Sequence, residues 1–362
     1  GRGWGRRHLF VGYGSVWADG SIYHSLLLVP RNSCGNFAWG NHLGHEHKEK
    51  RTNERKGIER KMMDSNNTKS GFIAIVGKPN VGKSSLLNVL VGEKVAIVSA
   101  KPQTTRTRIT GVLTEGETQL VFIDTPGLHK PRTKLSEYMV EQVKGSVTDV
   151  DLAVLVVDAT VKEITKAERE LMENFSSMDL PAILALNKVD LLEKKEDLME
   201  KIQAFSEAYE FAHILPLSAS TGEGVEKLKE ILIESAQPGP HFFPDDALTD
   251  QPERVIVAEI IREKILNNMS QEIPHGTAVS IESMKERPGG KLMDIHATIL
   301  CEKQSHKGMV IGKNGAMLKK IASEARVEIE SFLDCKINLQ CWVKVKDDWR
   351  NKERIIKELG FQ

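Results

Sequence analysis

No run of roughly 18 apolar residues occurs in the chain, the length a membrane-spanning helix needs, so no segment reads as a transmembrane span. Net charge is missing too: 50 Lys and Arg residues offset 50 Asp and Glu residues. Overall charge therefore identifies no partner, and any signal for a polyanion must come from local clustering. Cysteine is scarce. Cys34, Cys301, Cys335 and Cys341 form no CxxC pair and no metal spacing, which argues for reduced thiols in a cytosolic protein. What is present is 362 residues, 40% hydrophobic and 28% charged, enough for a globular protein of two or three domains.

Residues 1–61 differ from everything after them. They hold three of the five tryptophans (Trp4, Trp17, Trp39) and five of the eleven histidines. Their apolar residues keep neither helical nor strand spacing for long. Serine is sparse and no basic amphipathic face is visible, which argues against a transit peptide. The run ERKGIERK at 54–61 precedes Met62 and Met63. Its codons are purine-rich, as a bacterial ribosome-binding site is. The expectation is that translation starts at Met62 or Met63, and that residues 1–61 are disordered or wrongly assigned as coding.

The apolar run FIAIV at 72–76 suits a buried parallel strand. GKPNVGKS follows at 77–84, and Leu86, Leu87 and Leu90 then sit at helical spacing. Strand, glycine loop and helix in that order form a phosphate-binding loop. Gly77, Lys78, Pro79, Asn80, Val81, Gly82, Lys83, Ser84 and Ser85 are the candidates around the phosphates. Backbone N–H groups there can wrap a β-phosphate beside the positive end of the helix. Lys83 would reach the β- and γ-phosphates, and the Ser84 hydroxyl would ligate Mg²⁺.

Two further motifs follow buried strands. DTPG at 124–127 (Asp124, Thr125, Pro126, Gly127) follows LVFI. Asp124 can hold Mg²⁺ through water, and the Gly127 N–H can sense a γ-phosphate. NKVD at 187–190 follows AILAL. Asn187 and Asp190 would decide the base: the Asp190 carboxylate can accept two bonds from guanine, and adenine lacks that pair of donors. Lys188 would lie along the base plane. In SAS at 218–220, after HILPL, Ser218 and Ala219 complete the base site, with the Ala219 N–H aimed at guanine O6. The expected ligands are therefore GTP and GDP with Mg²⁺.

AKPQTTRTRIT at 100–110 lies where a first switch belongs. Thr104 or Thr105 would complete the Mg²⁺ shell. The residue after DTPG is Leu128, which cannot orient water as a glutamine does there. Asn80 offers a ligand to a monovalent cation such as K⁺ near the β- and γ-phosphates. Lys83, Asn80, Thr104, Thr105 and Gly127 are thus the candidates for the chemistry.

Residues 235–252 hold four of the thirteen prolines and read as a linker of restricted flexibility. An α-β-β-α-α-β pattern follows, ending in a helix expected near 347–358. Its two middle helices meet at Gly312-Lys313-Asn314-Gly315. Between 303 and 320 there are five lysines (Lys303, Lys307, Lys313, Lys319, Lys320) and no acidic residue. With Ile311 and Asn314 they are candidates for RNA binding, because a glycine turn lets backbone approach a phosphodiester.

GKPNVGKS, PQTTRTR, DTPGLHKP, NKVD, SAS, the FPDD…TD linker, EIIREK and VIGKNG, in this order, resemble the Era family of bacterial GTPases. The resemblance runs from about Gly71 to the C-terminus. It implies an α/β Ras-like P-loop domain with a mostly parallel sheet at 71–236, a linker at 237–252, and an α+β type II KH domain at 253–362. It also implies binding of the 3′ end region of 16S ribosomal RNA and assistance to 30S subunit assembly. A cytoplasmic protein with peripheral association to the inner face of the cell membrane is implied; no long coiled-coil repeat argues for obligate assembly, so a monomer is expected. Leu128 and Asn80 both agree with the family pattern. A tRNA-modification GTPase would bring an additional catalytic cysteine or cofactor domain, and none is evident. A nucleotide-gated membrane scaffold would tolerate mutation of the glycine turn.

Overall fold

The five-residue apolar run at 72–76 lies within a longer strand, β3 (Lys69–Val76), which sits inside a parallel sheet. In this computed structural model the described residues are 17–18, 21–22, 67–99, 101, 104–106, 109–126, 134, 150–161, 163–269, 273–289 and 292–359. Two units divide the chain, residues 1–59 and 60–362. In the first, β1 (Trp17–Ala18) pairs antiparallel with β2 (Ser21–Ile22), with Trp17 opposite Ile22. The rest of the expectation for residues 1–61, and Met62 and Met63, lie outside the described residues.

In the second unit, β3 alternates its branched side chains between two cores. Ile73 and Ile75 point to one layer of helices, and Ala74 and Val76 to the other. That is why the strand reads as continuously apolar: both faces are covered. The sheet order is β4 (Ile109–Glu115), β5 (Thr118–Asp124), β3, β6 (Leu152–Asp158), β7 (Ala182–Asn187), β8 (His213–Pro216). Only β4 runs against this path, as a hairpin with β5. The short β9 (Gln237–Pro238) also pairs antiparallel, with the start of β3. Helices α1 (Lys83–Val91) and α4 (Val225–Ser235) contribute Leu86, Leu87, Leu90, Leu228 and Leu232 to one core. Helices α2 (Lys166–Ser177) and α3 (Lys195–Ala208) contribute Leu171, Phe175 and Phe205 to the other. The C-terminal ends of β3, β5, β7 and β8 lie along one edge of the sheet, where open parallel sheets bind ligands.

A second sheet has the order β10 (Thr277–Glu286), β11 (Leu292–Cys301), β12 (Lys336–Val345). β10 and β11 are antiparallel, while β11 and β12 are parallel, joined through α6 (Gln304–Ile311) and α7 (Ala316–Leu333). α5 (Glu253–Asn268) and α7 cover one face, packing Val257, Ile261, Ile265, Ile321 and Ile329 on Ile295, Ala297 and Ile299. The element order is the one expected, except at the end. The helix expected near 347–358 is broken into a 3₁₀ turn, Trp349–Asn351, and α8 (Glu353–Glu358). Asp348 takes a left-handed φ of 51°. That turns Trp349 inward, where it is fully buried and its Nε1 donates to Gly276 O at 2.9 Å.

The proline-rich connection is pinned rather than loose. The Gln119 side chain accepts from Phe242 N and Phe243 N at 2.7 and 2.9 Å. Thr249 Oγ1 donates to Thr110 O at 2.6 Å, and Val112 N donates to Leu248 O at 2.8 Å.

Candidate nucleotide site, switch segment and basic turn

The loop between β3 and α1 turns at Gly82, whose φ of 99° is left-handed. A Cβ at Gly82 would also overlap Asn187 Nδ2. Glycine is required there on both counts. No side chain caps α1, so its first N–H groups face the loop as an anion site. Lys83 is buried, and its Nζ donates to Lys78 O at 3.0 Å. Burial lowers the Lys83 pKa, with the Asp124 charge opposing. Pro79, Asn80, Ser84, Ser85, Thr104 and Thr105 line a cleft over this loop. Asn80 holds a left-handed φ of 64°. Gly127 and Leu128 lie outside the described residues.

Three oxygen-bearing side chains converge beneath the cleft. Ser84 Oγ donates to Asp124 Oδ2 at 2.6 Å and lies 2.9 Å from Thr105 Oγ1. Thr105 Oγ1 is 3.5 Å from the same carboxylate oxygen. Asp124 is fully buried, and burial raises its pKa against the pull of Lys83. Its second oxygen, Oδ1, is buried without a hydrogen-bond partner. An orphaned carboxylate oxygen beside two hydroxyls is a hard-oxygen donor set that fits Mg²⁺. Thr104 and Thr105, equivalent in the sequence, part company here. Thr104 Oγ1 donates back to Lys101 O at 2.6 Å. Thr125, also in the motif, donates Oγ1 to Ile75 O at 3.1 Å and braces the strand end.

On the base side, two of the expected groups have partners within the protein. Asn187 is 2% exposed; its Nδ2 donates to Val81 O at 2.7 Å and its Oδ1 accepts from Ala219 N at 2.9 Å. Each end of the amide makes one of the bonds that tie three loops together. Removing it would leave two buried backbone groups unpaired, at about 1–3 kcal/mol each. By the same bond, the Ala219 N–H is donated to Asn187 rather than held open for a base oxygen. Ser218 is buried and its Oγ accepts from Thr221 N at 3.2 Å. Lys188, left-handed at φ 70°, pairs with Asp158 Oδ2 at 2.7 Å. Burial pushes the Asp158 carboxyl up, but bonds from Lys188 and Thr160 outweigh it and leave the pKa low. Asp190, on the turn Val189–Leu191, is exposed beside this frame.

Sequence reasoning missed Lys201 and Arg106. Lys201 is 4% exposed and its Nζ donates to Asp158 O at 2.7 Å and to Val161 O, holding the loop after β6. Burial lowers its pKa. No local pattern marks it among the exposed charges of α3. Arg106 stands in the conspicuous TTR run, yet it leaves the cleft entirely. Its Nη1 donates to Thr277 O at 2.7 Å and its Nη2 to His275 O at 2.9 Å. The guanidinium lies 5.8 Å from the centroid of the Trp349 ring. Arg262 of α5 meets it from the other side, donating to Thr104 O and pairing with Glu259 Oε2 at 2.5 Å. Nearby, Glu263 accepts from Lys94 and Lys264 at 2.7 and 2.8 Å and from Val98 N at 2.8 Å.

The basic turn joins α6 to α7. Gly312 has φ 72°, and a Cβ there would come within 2.7 Å of the Met317 Cβ. Its N–H donates to Gly308 O at 2.9 Å, closing α6. Lys303, Lys313, Asn314, Lys319 and Lys320 are exposed, while Lys307 and Gly315 are half-buried. Lys320 lies 3.8 Å from Glu324. Ile311 packs partly against the core under the turn, so its contribution is to support the loop more than to present a surface.

The sequence family described as a 50S ribosome-binding GTPase matches residues 72–188, and that described as a KH domain matches 272–350. The GTPase Era of Clostridium kluyveri is 50% identical over 294 residues, covering 81% of this chain and 99% of that protein. The GTPase Era of Clostridioides difficile is 48% identical over 293 residues, covering 81% and 98%. A crystal structure of Era in complex with MgGDPNP and nucleotides 1506–1542 of 16S ribosomal RNA matches with a TM-score of 0.78 at 36% identity. It covers 82% of this chain and 99% of its own. A variant of Aquifex aeolicus Era bound to GDP and AlF4⁻ matches with the same score and identity, covering 81% and 99%.

Proposed function

The chain belongs to the Era family of GTPases, and on that footing we propose that it couples its bound guanine nucleotide to its grip on 16S ribosomal RNA. In this reading residues 71–236 form the G domain, 237–252 the linker and 253–362 the type II KH domain. GTP and GDP bind at the loop Gly77–Ser85, with Lys83 at the β- and γ-phosphates. Ser84, Thr105 and Asp124 hold Mg²⁺, which when bound neutralises charge developing on the phosphates. Gly127 keeps its expected part as γ-phosphate sensor, and Asp190 reads the base. Asn80 helps to hold K⁺ near the phosphates, in the place an arginine finger would fill.

The KH domain takes the 3′ end region of the RNA at the Gly312–Gly315 turn, and the cycle serves 30S assembly. The single observation that carries the reading is the meeting of Ser84, Thr105 and the orphaned Asp124 oxygen beside Lys83. The printed ligands of the solved relatives, MgGDPNP and 16S ribosomal RNA, support it from outside. A cytoplasmic location and peripheral contact with the inner face of the membrane belong to the same reading and rest on the resemblance, and a monomeric state rests on the lack of a long coiled-coil repeat in the sequence. The test is the double variant Gly312→Asp with Gly315→Asp. It should lose binding to a 16S 3′-end oligonucleotide and keep wild-type GTP hydrolysis. Unchanged RNA binding would contradict the assignment of the turn.

A further inference from the structure

Three consecutive residues of the switch segment go to three different places. The Thr104 carbonyl accepts from Arg262. The Thr105 hydroxyl joins Ser84 and Asp124. The Arg106 guanidinium crosses to the carbonyls of Thr277 and His275. The threonine is thus flanked on both sides by bonds to the other domain. We propose that Arg106 and Arg262 are positioning residues for the nucleotide reaction: Arg262, reaching out from the KH domain, and Arg106, anchored on carbonyls of that domain, hold Thr105 at the metal site. The proposal rests on the reading of Thr105 as an Mg²⁺ ligand and adds what keeps it in place.

The helix α5 acts as a splint along this segment. Glu263 receives Val98 N at 2.8 Å, the Leu266 carbonyl receives Lys101 Nζ, and Arg262 reaches Thr104 O. Those residues of α5 therefore fix the segment at 98, 101 and 104, and Arg106 fixes it just beyond Thr105. A loop of this kind would otherwise sample many conformations, and each one that moves Thr105 away weakens the site.

The arginines are an expensive way to build a mere interface. Arg106 and Arg262 are 2% and 1% exposed. Arg106 donates to backbone carbonyls, and burial together with the neighbouring Arg262 charge lowers its pKa to about 9. Burying two guanidinium groups this close costs more than an apolar contact of the same size would. What the arrangement gains is directional: planar donors on fixed carbonyls set the backbone on either side of one hydroxyl.

The distinguishing feature is nucleotide dependence. A threonine that would serve a metal only when a γ-phosphate is present should matter for GTP and not for GDP. The experiment uses the full chain with Arg262→Ala, Arg106→Ala, Arg106→Lys and Thr105→Ala. Steady-state GTP hydrolysis is measured across a Mg²⁺ titration, and GDP affinity is measured alongside.

The two arginine-to-alanine variants should lower kcat by roughly ten- to a hundredfold, the scale of a small misplacement in a reacting site. They should also need more Mg²⁺ for half-maximal rate and bind GDP as wild type does. Arg106→Lys, with one donor group left for the same carbonyls, should fall between. Wild-type kcat and Mg²⁺ dependence in both alanine variants, with Thr105→Ala impaired, would overturn the positioning role alone. A normal Thr105→Ala would instead remove the reading beneath it. Parallel loss of GDP and GTP binding in the arginine variants would reduce them to structural supports and also overturn the proposal.

Discussion

Asp190 is exposed beside neighbours already committed to the protein itself, Asn187 to two backbone groups and Lys188 to Asp158. Its exposed carboxylate is the group that the proposed reading assigns to base choice. Asp190→Asn should lower GTP affinity by on the order of 10⁴ while raising affinity for xanthosine triphosphate. Unchanged GTP affinity in a competition titration would remove Asp190 from that role. Asn80 bears on the rate instead: hydrolysis should run faster in K⁺ than in equimolar Na⁺, and equal rates would dismiss the cation.

At this scale the sequence was legible where a motif fixes placement: Lys83, Ser84 and Asp124 lie together at the loop. It was silent where two neighbours share a residue type. Thr104 and Thr105 differ only in which way the backbone turns them, and that depends on Arg262 more than 150 positions away. For Asn187 the sequence pointed to a base and was silent on the partners the side chain has within the protein. Those partners, Val81 O and Ala219 N, are backbone atoms that no side-chain pattern announces.

Among the elements, strands and helices followed the spacing of their apolar residues closely, because both sheets bury whole faces. β3 and β7 read as unbroken apolar runs, and α5 as a helix with Val257, Ile261 and Ile265 inward. The final helix did not follow, since the pattern cannot show that Asp348 turns left-handed to bury Trp349.

The polar side of α5 was equally hidden. Glu263 joins Lys94 and Val98, some 165 or more positions distant in sequence. Burial pushes the Glu263 carboxyl up, but bonds from Lys264, Lys94 and Val98 N outweigh it and hold its pKa below the ordinary 4.5. A depressed carboxylate stabilises the fold above its unfolded pKa and loses that contribution as pH falls through the folded value. Glu263→Gln should thus be less stable than wild type near neutrality. The gap in denaturant midpoint should close as pH drops below about 4.5. A gap independent of pH would show that the charge contributes nothing.

For the molecule as a whole, composition was uninformative and connectivity decisive. Balanced charge concealed a cluster of five lysines in and around the glycine turn, because acidic residues elsewhere cancel them. The order of motifs along the chain revealed a nucleotide domain followed by an RNA-binding fold. What no reading of the chain could supply is how the two meet. The linker lies along β4 and β5 through Gln119, Thr110 and Val112. The switch segment reaches the start of β10 through Arg106. A change at the nucleotide therefore has a continuous path of bonds into the domain that carries the turn.

The measurement that bears most directly on this coupling is the affinity of the full chain for a 16S 3′-end oligonucleotide. It should be taken by fluorescence anisotropy with Mg²⁺ and, in turn, a non-hydrolysable GTP analogue, GDP, and the matching ATP analogue. The account predicts that the GTP analogue and GDP give Kd values differing by roughly 5- to 150-fold, the usual range of coupling between two sites. It predicts that the ATP analogue has no effect. One and the same Kd in all three conditions, or an equal response to the ATP analogue, would contradict it.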